Sequence, residues 1–208
     1  MINNISVNTQ SSIRIDGGNT IIRSDPFKIA GEPHDAGIIL ITHDHYDHFS
    51  PEDIQKVRRP DTVFAAPVSM KNKLESIGIG NAVLLSPGEK TEIAGIPVEA
   101  VPAYNTLKPF HPRSNGWLGY IITVNGKRIY AAGDTDAVKE VRAVECDIAL
   151  VPVGGTFTMN HKEAAKLINE IRPGIAVPIH YGSIVGDRSD GEKFSKLVDS
   201  GIDVVLKL

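Results

Sequence analysis

Ten residues set the terms for this chain: Ile41-Thr42-His43-Asp44-His45-Tyr46-Asp47-His48-Phe49-Ser50. Three histidines and two aspartates fall between positions 43 and 48, directly after the apolar run Gly37-Ile38-Ile39-Leu40-Ile41. Packing gives no reason for this, because imidazoles and carboxylates are costly to bury without partners. Neutral imidazole nitrogen and carboxylate oxygen are the donor set of Zn, Fe, Mn and Ni sites. The apolar run predicts a strand buried on both faces. Where it ends the chain is still extended, and side chains two apart point the same way. His43 and His45 therefore converge on one point, and Asp47 and His48 aim at a second. Ser50-Pro51-Glu52-Asp53 then starts a helix, with Ser50 as N-cap, Pro51 in the first turn and Asp53 reaching back.

His43-Asp44-His45-Tyr46-Asp47-His48 resembles the His-x-His-x-Asp-His signature of the metallo-β-lactamase fold superfamily. The resemblance implies an α/β (α+β) chain folded as a four-layer αββα sandwich, with the site along the edge between the sheets. Later motifs extend it. Asp134, in Ala132-Gly133-Asp134, and His180, in Pro178-Ile179-His180, each follow a predicted strand and match the superfamily's later ligands. Asp134 has two oxygens and can bridge two metals. In one place the chain departs from the pattern. The superfamily carries another ligand histidine in a turn after a strand, and here that turn is Val101-Pro102-Ala103-Tyr104-Asn105, with tyrosine at the histidine position. Either His111, in Phe110-His111-Pro112, loops back to complete the first point, or Tyr104 or Asn105 faces the cleft and only His43, His45 and Asp134 hold the first metal. This arrangement resembles a small branch of metal-dependent hydrolases within the superfamily.

The rest of the chain reads as hairpins followed by strand–helix alternation, which suggests two sheets with helices outside them. Asp16-Gly17-Gly18-Asn19, Ala94-Gly95 and Asn125-Gly126 mark hairpins. Helices are predicted over 51–58, 68–77, 160–171 and 192–199, the third with Asn160 and Glu163 in capping-box spacing. Residues 1–208 read as one domain. Asp25, before Pro26, is either a plain turn residue or a carboxylate that holds a metal-binding histidine by its free N–H. His34 reads as a loop residue and His161 as an exposed residue at a helix start. The glycine-rich Gly154-Gly155 segment lacks the Lys-Ser/Thr of a phosphate loop and is expected to wall the cleft.

Lys and Arg number 22 against 25 Asp and Glu, so no basic surplus suggests a nucleic-acid or anionic-membrane partner. The single Cys146 excludes an intrachain disulfide and reads as a small buried residue. With no signal-peptide pattern, a cytoplasmic protein is expected. No sequence feature bears on oligomeric state.

The expected chemistry is hydrolysis by metal-bound hydroxide, with two divalent metals per chain. Zinc is the first expectation, and Mn, Ni or Fe also suit the donors. The predicted ligands are His43, His45, Asp47, His48, His111, Asp134 and His180. Asp47 also orients the nucleophile or takes its proton. Tyr104, Trp117 and Tyr181 are expected to shape the pocket of a small ester-like substrate: a phosphodiester, lactone or thioester. Two other readings stay open on the same fold, a diiron redox protein and a non-catalytic metal-binding protein.

Overall fold

In the computed structural model, which describes residues 1–208, the run before the histidine loop forms a strand buried at every position. The first sheet contains β1 (Ile5–Val7), β2 (Ile13–Asp16), β3 (Ile21–Ser24), β4 (Ala36–Leu40), β5 (Arg58–Pro67) and β6 (Val83–Leu85), side by side in that order. The second contains β7 (Lys90–Ile93), β8 (Ile96–Pro102), β9 (Leu118–Val124), β10 (Lys127–Ala131), β11 (Ile148–Pro152), β12 (Ile175–Ile179) and β13 (Asp203–Val204), also neighbours in chain order. Helices α1 (Pro51–Val57), α2 (Lys71–Ser76), α3 (Lys139–Arg142), α4 (His161–Ile171) and α5 (Asp190–Ser195) complete the fold. No helix is long and apolar enough to cross a membrane.

Three apolar layers account for the architecture. Ile15, Ile38 and Leu40 of the first sheet meet Leu118, Ile122 and Leu150 of the second in a core between the sheets. On the outer face of the first sheet, Ile39, Ile41 and Phe64 pack against Ile54 and Val57 of α1 and Leu74 of α2. On the outer face of the second, Tyr130, Ala149 and Val151 pack against Leu167 and Ile168 of α4 and Phe194 of α5. The order is the expected αββα. Both sheets are built alike, starting with antiparallel hairpins and ending in parallel strands: β4, β5 and β6 in one, β11, β12 and β13 in the other.

Local chemistry explains the elements. Asn125 and Gly126 both take positive φ, 52° and 73°, which is the twist a two-residue hairpin needs. Asn160 caps α4 and Glu163 returns the bond to the Asn160 N–H, as the spacing predicts. Some boundaries differ from expectation. Val68–Met70 is a 3-10 turn before α2, and α5 begins two residues earlier than predicted. Pro60 does not follow a helix end directly but lies in β5, where the pairing with β4 shifts register and the missing N–H is tolerated.

Asp53 does more than cap. It bonds the Ser50 hydroxyl, and its two oxygens accept the Lys28 and Ile29 N–H groups, both at 2.9 Å. Burial raises its carboxyl, but those amides and Ser50 outweigh burial and hold it below the usual range. Asp53→Ala is expected to cost about 1–2 kcal/mol at neutral pH. A depressed folded pKa contributes stability above the unfolded value, so the penalty should shrink as pH falls below about 4. Urea titrations of both proteins at pH 7 and pH 3.5 check this, and a penalty that persists at the lower pH would contradict it.

Candidate metal centre

The side chains singled out above gather at the C-terminal ends of strands along one edge of the sandwich. Asp25 follows β3, the His43–His48 loop follows β4, Asn105 and His111 lie beyond β8, Asp134 follows β10 and His180 follows β12. Gly133 makes the turn into Asp134 possible. Its φ is 63°, and a Cβ there would stand 2.8 Å from the Leu118 carbonyl oxygen and 3.2 Å from Thr42.

Two groups of donor atoms result. His43, His45 and His111 form one, with His43 Nε2 3.0 Å from His45 Nδ1. Asp47, His48 and His180 form the other, with His180 Nε2 3.3 Å from both Asp47 Oδ2 and His48 Nε2. Asp134 stands between them. Its Oδ2 lies 3.3 Å from His111 Nε2 and its Oδ1 lies 3.3 Å from His48 Nε2 and 3.4 Å from His180 Nε2.

Around these groups lies a set of hydrogen bonds that fixes ring orientation. Asp25 is fully buried, and its Oδ2 accepts from His48 Nδ1 at 2.7 Å and from the Thr42 hydroxyl at 2.6 Å. Thr42 Oγ1 in turn lies 3.0 Å from His43 Nδ1. Asn105 Oδ1 lies 2.9 Å from His111 Nδ1. These bonds place the ring protons of His43, His48 and His111 on Nδ1, which leaves each Nε2 lone pair facing its group. Of the two readings of Asp25, the structure supports the one in which it holds a histidine.

The donor set fits a cation. Asp25, Asp47 and Asp134 are all buried, and no lysine or arginine pairs with any of them. His111 Nε2 and Asp134 Oδ1 are buried with no hydrogen-bond partner. Uncompensated groups of this kind cost free energy that a bound cation recovers. Burial, reinforced by the neighbouring rings, holds His43 well below its ordinary pKa and lowers His45, so both are neutral and able to ligate. Burial raises Asp134 and Asp47, but His180 and His48 outweigh it and keep both carboxyls ionised. Burial lowers His48, yet Asp134 and Asp25 outweigh that and hold it well above the usual value.

The aromatic candidates separate. Trp117 lies against the first group, with ring centroids 4.9 Å from His43, 5.0 Å from His45 and 5.5 Å from His111. Tyr104 is not brought to the donor groups: its hydroxyl donates to Glu140 at 2.9 Å, and its ring joins the apolar layer under the second sheet. Tyr181 packs in that same layer and lines a separate cavity. His34 is exposed and His161 lies 3.6 Å from Asp190, both away from the groups. Gly154 supports His180 from behind, since a Cβ there would stand 2.3 Å from the His180 carbonyl oxygen.

Sequence reasoning missed the supporting roles of Thr42 and Asn105. The Asn105 N–H donates to the His111 carbonyl at 2.8 Å, closing the loop between them, while its Nδ2 donates to Phe157 O and Asp136. Asn105→Ala is expected to lower metal affinity about 10–100-fold through loss of His111 orientation. Competition against a fluorescent zinc chelator measures this, and an unchanged affinity would remove Asn105 from the site.

Residues 4–180 match the family model of the beta-lactamase superfamily domain. The chain is 32% identical over 202 residues to a UPF0173 metal-dependent hydrolase of Thermococcus onnurineus, covering 91% of this chain and 89% of that one. Among solved structures it is similar to a candidate metal-dependent hydrolase from Parabacteroides distasonis, with 35% identity, a TM-score of 0.83, and coverage of 98% and 92%. It shares its fold with CmlA, a diiron β-hydroxylase from Streptomyces venezuelae, at 14% identity and a TM-score of 0.78, covering 98% of this chain and 52% of CmlA.

Proposed function

The chain belongs to the metallo-β-lactamase superfamily, among its UPF0173 metal-dependent hydrolases, and from that premise we propose that it uses two divalent cations to hydrolyse a small ester-like substrate. The observation that carries the proposal is Asp134, one carboxylate oxygen turned to each group of three donors. His43, His45, His111 and Asp134 Oδ2 would hold one cation, and Asp47, His48, His180 and Asp134 Oδ1 the other. Bound there, the cations would supply Lewis acidity that lowers the pKa of water and polarises a carbonyl or phosphoryl oxygen.

The protein's own groups do the rest. Asp47, ionised and slightly accessible at 7%, orients the attacking water and accepts its proton. Trp117 covers the imidazoles of the first group and excludes bulk water from them. His45 is partly exposed and marks the side from which substrate enters. A small substrate agrees with the net charge of −3, which gives no pull toward nucleic acid. Phosphodiesters, lactones and thioesters all suit the arrangement. Five imidazoles against two carboxylates favour zinc hydrolysis over diiron redox chemistry, since zinc suits imidazole-rich sites.

The test combines metal analysis with turnover on phosphodiester, lactone and thioester panels. Two metals per chain and a hydrolysis abolished by chelator and restored by zinc are expected. Chelator-insensitive turnover would sink the mechanism, and visible absorbance with iron content would favour the redox alternative.

A further inference from the structure

The loop that delivers His111 has little of its own to hold it. Residues 106–110 make no backbone–backbone hydrogen bond, and Leu107 among them is 97% exposed. Their one aromatic contact is Phe110 on Phe157, with ring centroids 4.7 Å apart. Every hydrogen bond these five residues make ends on Asp136, save one from Lys108 Nζ to the Thr158 carbonyl at 2.7 Å.

Asp136 lies two residues past Asp134, and its side chain is 14% exposed. Its Oδ1 accepts from Lys108 Nζ at 2.7 Å and from Asn105 Nδ2 at 3.2 Å. Its Oδ2 accepts from the Thr106 N–H at 3.0 Å and from the Thr106 hydroxyl at 3.3 Å. Both oxygens are thus committed to donors. An amide cannot replace such a carboxylate, because its NH₂ faces a fixed N–H donor whichever way it turns. The two backbones are joined as well. The Asp136 N–H donates to the Tyr104 carbonyl at 3.0 Å, and the Tyr104 N–H donates to Thr135 Oγ1 at 3.2 Å.

These bonds close a circuit between two proposed ligands. Asp136 grips Asn105, Thr106 and Lys108. Asn105 Oδ1 accepts the His111 N–H at 3.1 Å and the His111 Nδ1–H at 2.9 Å. His111 Nε2 then returns to within 3.3 Å of Asp134 Oδ2. Asp136 itself belongs to neither donor group. We propose that Asp136 is a positioning residue for the first cation: by clamping residues 105–108 to the turn that carries Asp134, it sets His111 against Asp134 Oδ2. The proposal rests on the metal-centre reading for its cation, while the clamp stands on the bonds above. Its work is geometric. A ligand held in place before the metal arrives spares binding the cost of ordering the loop.

Zinc titration against a competing chelator tests the proposal on wild type, Asp136→Asn, His111→Ala and the double variant. Asp136→Asn should weaken one zinc site about tenfold and leave the other unchanged. In the His111→Ala background the same substitution should weaken zinc no further, because the group it acts through is gone. A carboxylate that serves stability alone would lower the urea midpoint in both backgrounds without this dependence on His111. Lys108→Met keeps the carboxylate and removes one of its donors. It should weaken the same site by a smaller factor, again only when His111 is present, and it carries the test if Asp136→Asn does not fold. Zinc affinity unchanged in both single variants, or reduced equally with and without His111, would overturn the proposal. Wild type that takes up no zinc would sink the metal-centre reading itself, whereas two sites filled alike in wild type and Asp136→Asn would remove the role of Asp136 alone.

Discussion

Asp134→Asn is expected to leave the protein folded and nearly without metal. The asparagine is the same size and keeps one acceptor, so the turn after Gly133 should persist. What disappears is the negative charge shared by both donor groups. Asp134 Oδ1 has no hydrogen-bond partner, so no other residue inherits its role. The second group keeps Asp47, but the first retains only His43, His45 and His111, three imidazoles with no carboxylate among them for a divalent ion. Metal content should fall from two to below one per chain. Hydrolysis should drop by at least about a hundredfold, the upper end of what losing a mere supporting residue costs. Elemental analysis, turnover and far-UV circular dichroism together check the result. Two metals retained on a folded variant would show that Asp134 does not bridge.

Asp25→Asn should produce a large effect without touching either donor group directly. Asp25 accepts from the Thr42 N–H at 2.8 Å, from the Thr42 hydroxyl and from His48 Nδ1. Asparagine can keep the amide bond with its remaining oxygen, and it tolerates the φ of 45° that the position requires. Its NH₂ then faces His48 Nδ1 with a donor where an acceptor is needed. The ring must surrender the Nδ1 proton or rotate, and either change takes the Nε2 lone pair away from its group. His43 is disturbed by the same substitution, because Thr42 relays Asp25 to it. Affinity for both metals should fall about 10–100-fold. Asp25→Ala should add a stability loss of roughly 1–3 kcal/mol for each buried donor left open. If Asp25→Asn binds zinc like the wild type, Asp25 serves only the turn.

How much of this the sequence displays differs between the parts of the site. The His43–His48 loop is conspicuous because five titratable groups directly after a wholly apolar strand have no packing explanation. Asp134 and His180 are individually ordinary and gain meaning only from their places at strand ends together with that loop. His111 is different. Nothing local links it to the loop. It joins the first group because Asn105 grips both its backbone and its ring, and an asparagine six residues away carries no recognisable signal. Tyr104 stands at the family's histidine position and, as an aromatic, is an expected pocket residue. The structure instead gives its hydroxyl to Glu140, on an α3 too short, at four residues, to show periodicity. Two sheets with helices outside them are readable in the hairpin dipeptides and the later strand–helix alternation, while the αββα sandwich is what the resemblance of the His43–His48 loop implies. The likeness between the two sheets is not readable there, since strand direction follows from crossovers and not from composition.

The strand-end location of the site carries a consequence for cohesion. Asp25 and the histidine loop extend from the first sheet, while His111, Asp134 and His180 extend from the second. Each proposed cation would therefore be gripped from both halves of the chain at once, by His43 and His45 against His111 on one side and by Asp47 and His48 against His180 on the other. Metal of this kind works as a rivet through two plates. Its affinity would add to the resistance of the halves to parting, by an amount that grows with the logarithm of the free metal concentration. Chelation should then loosen the edge of the sandwich nearest the strand ends, where amide exchange would quicken first, while the core around Ile38 and Leu150 stays closed.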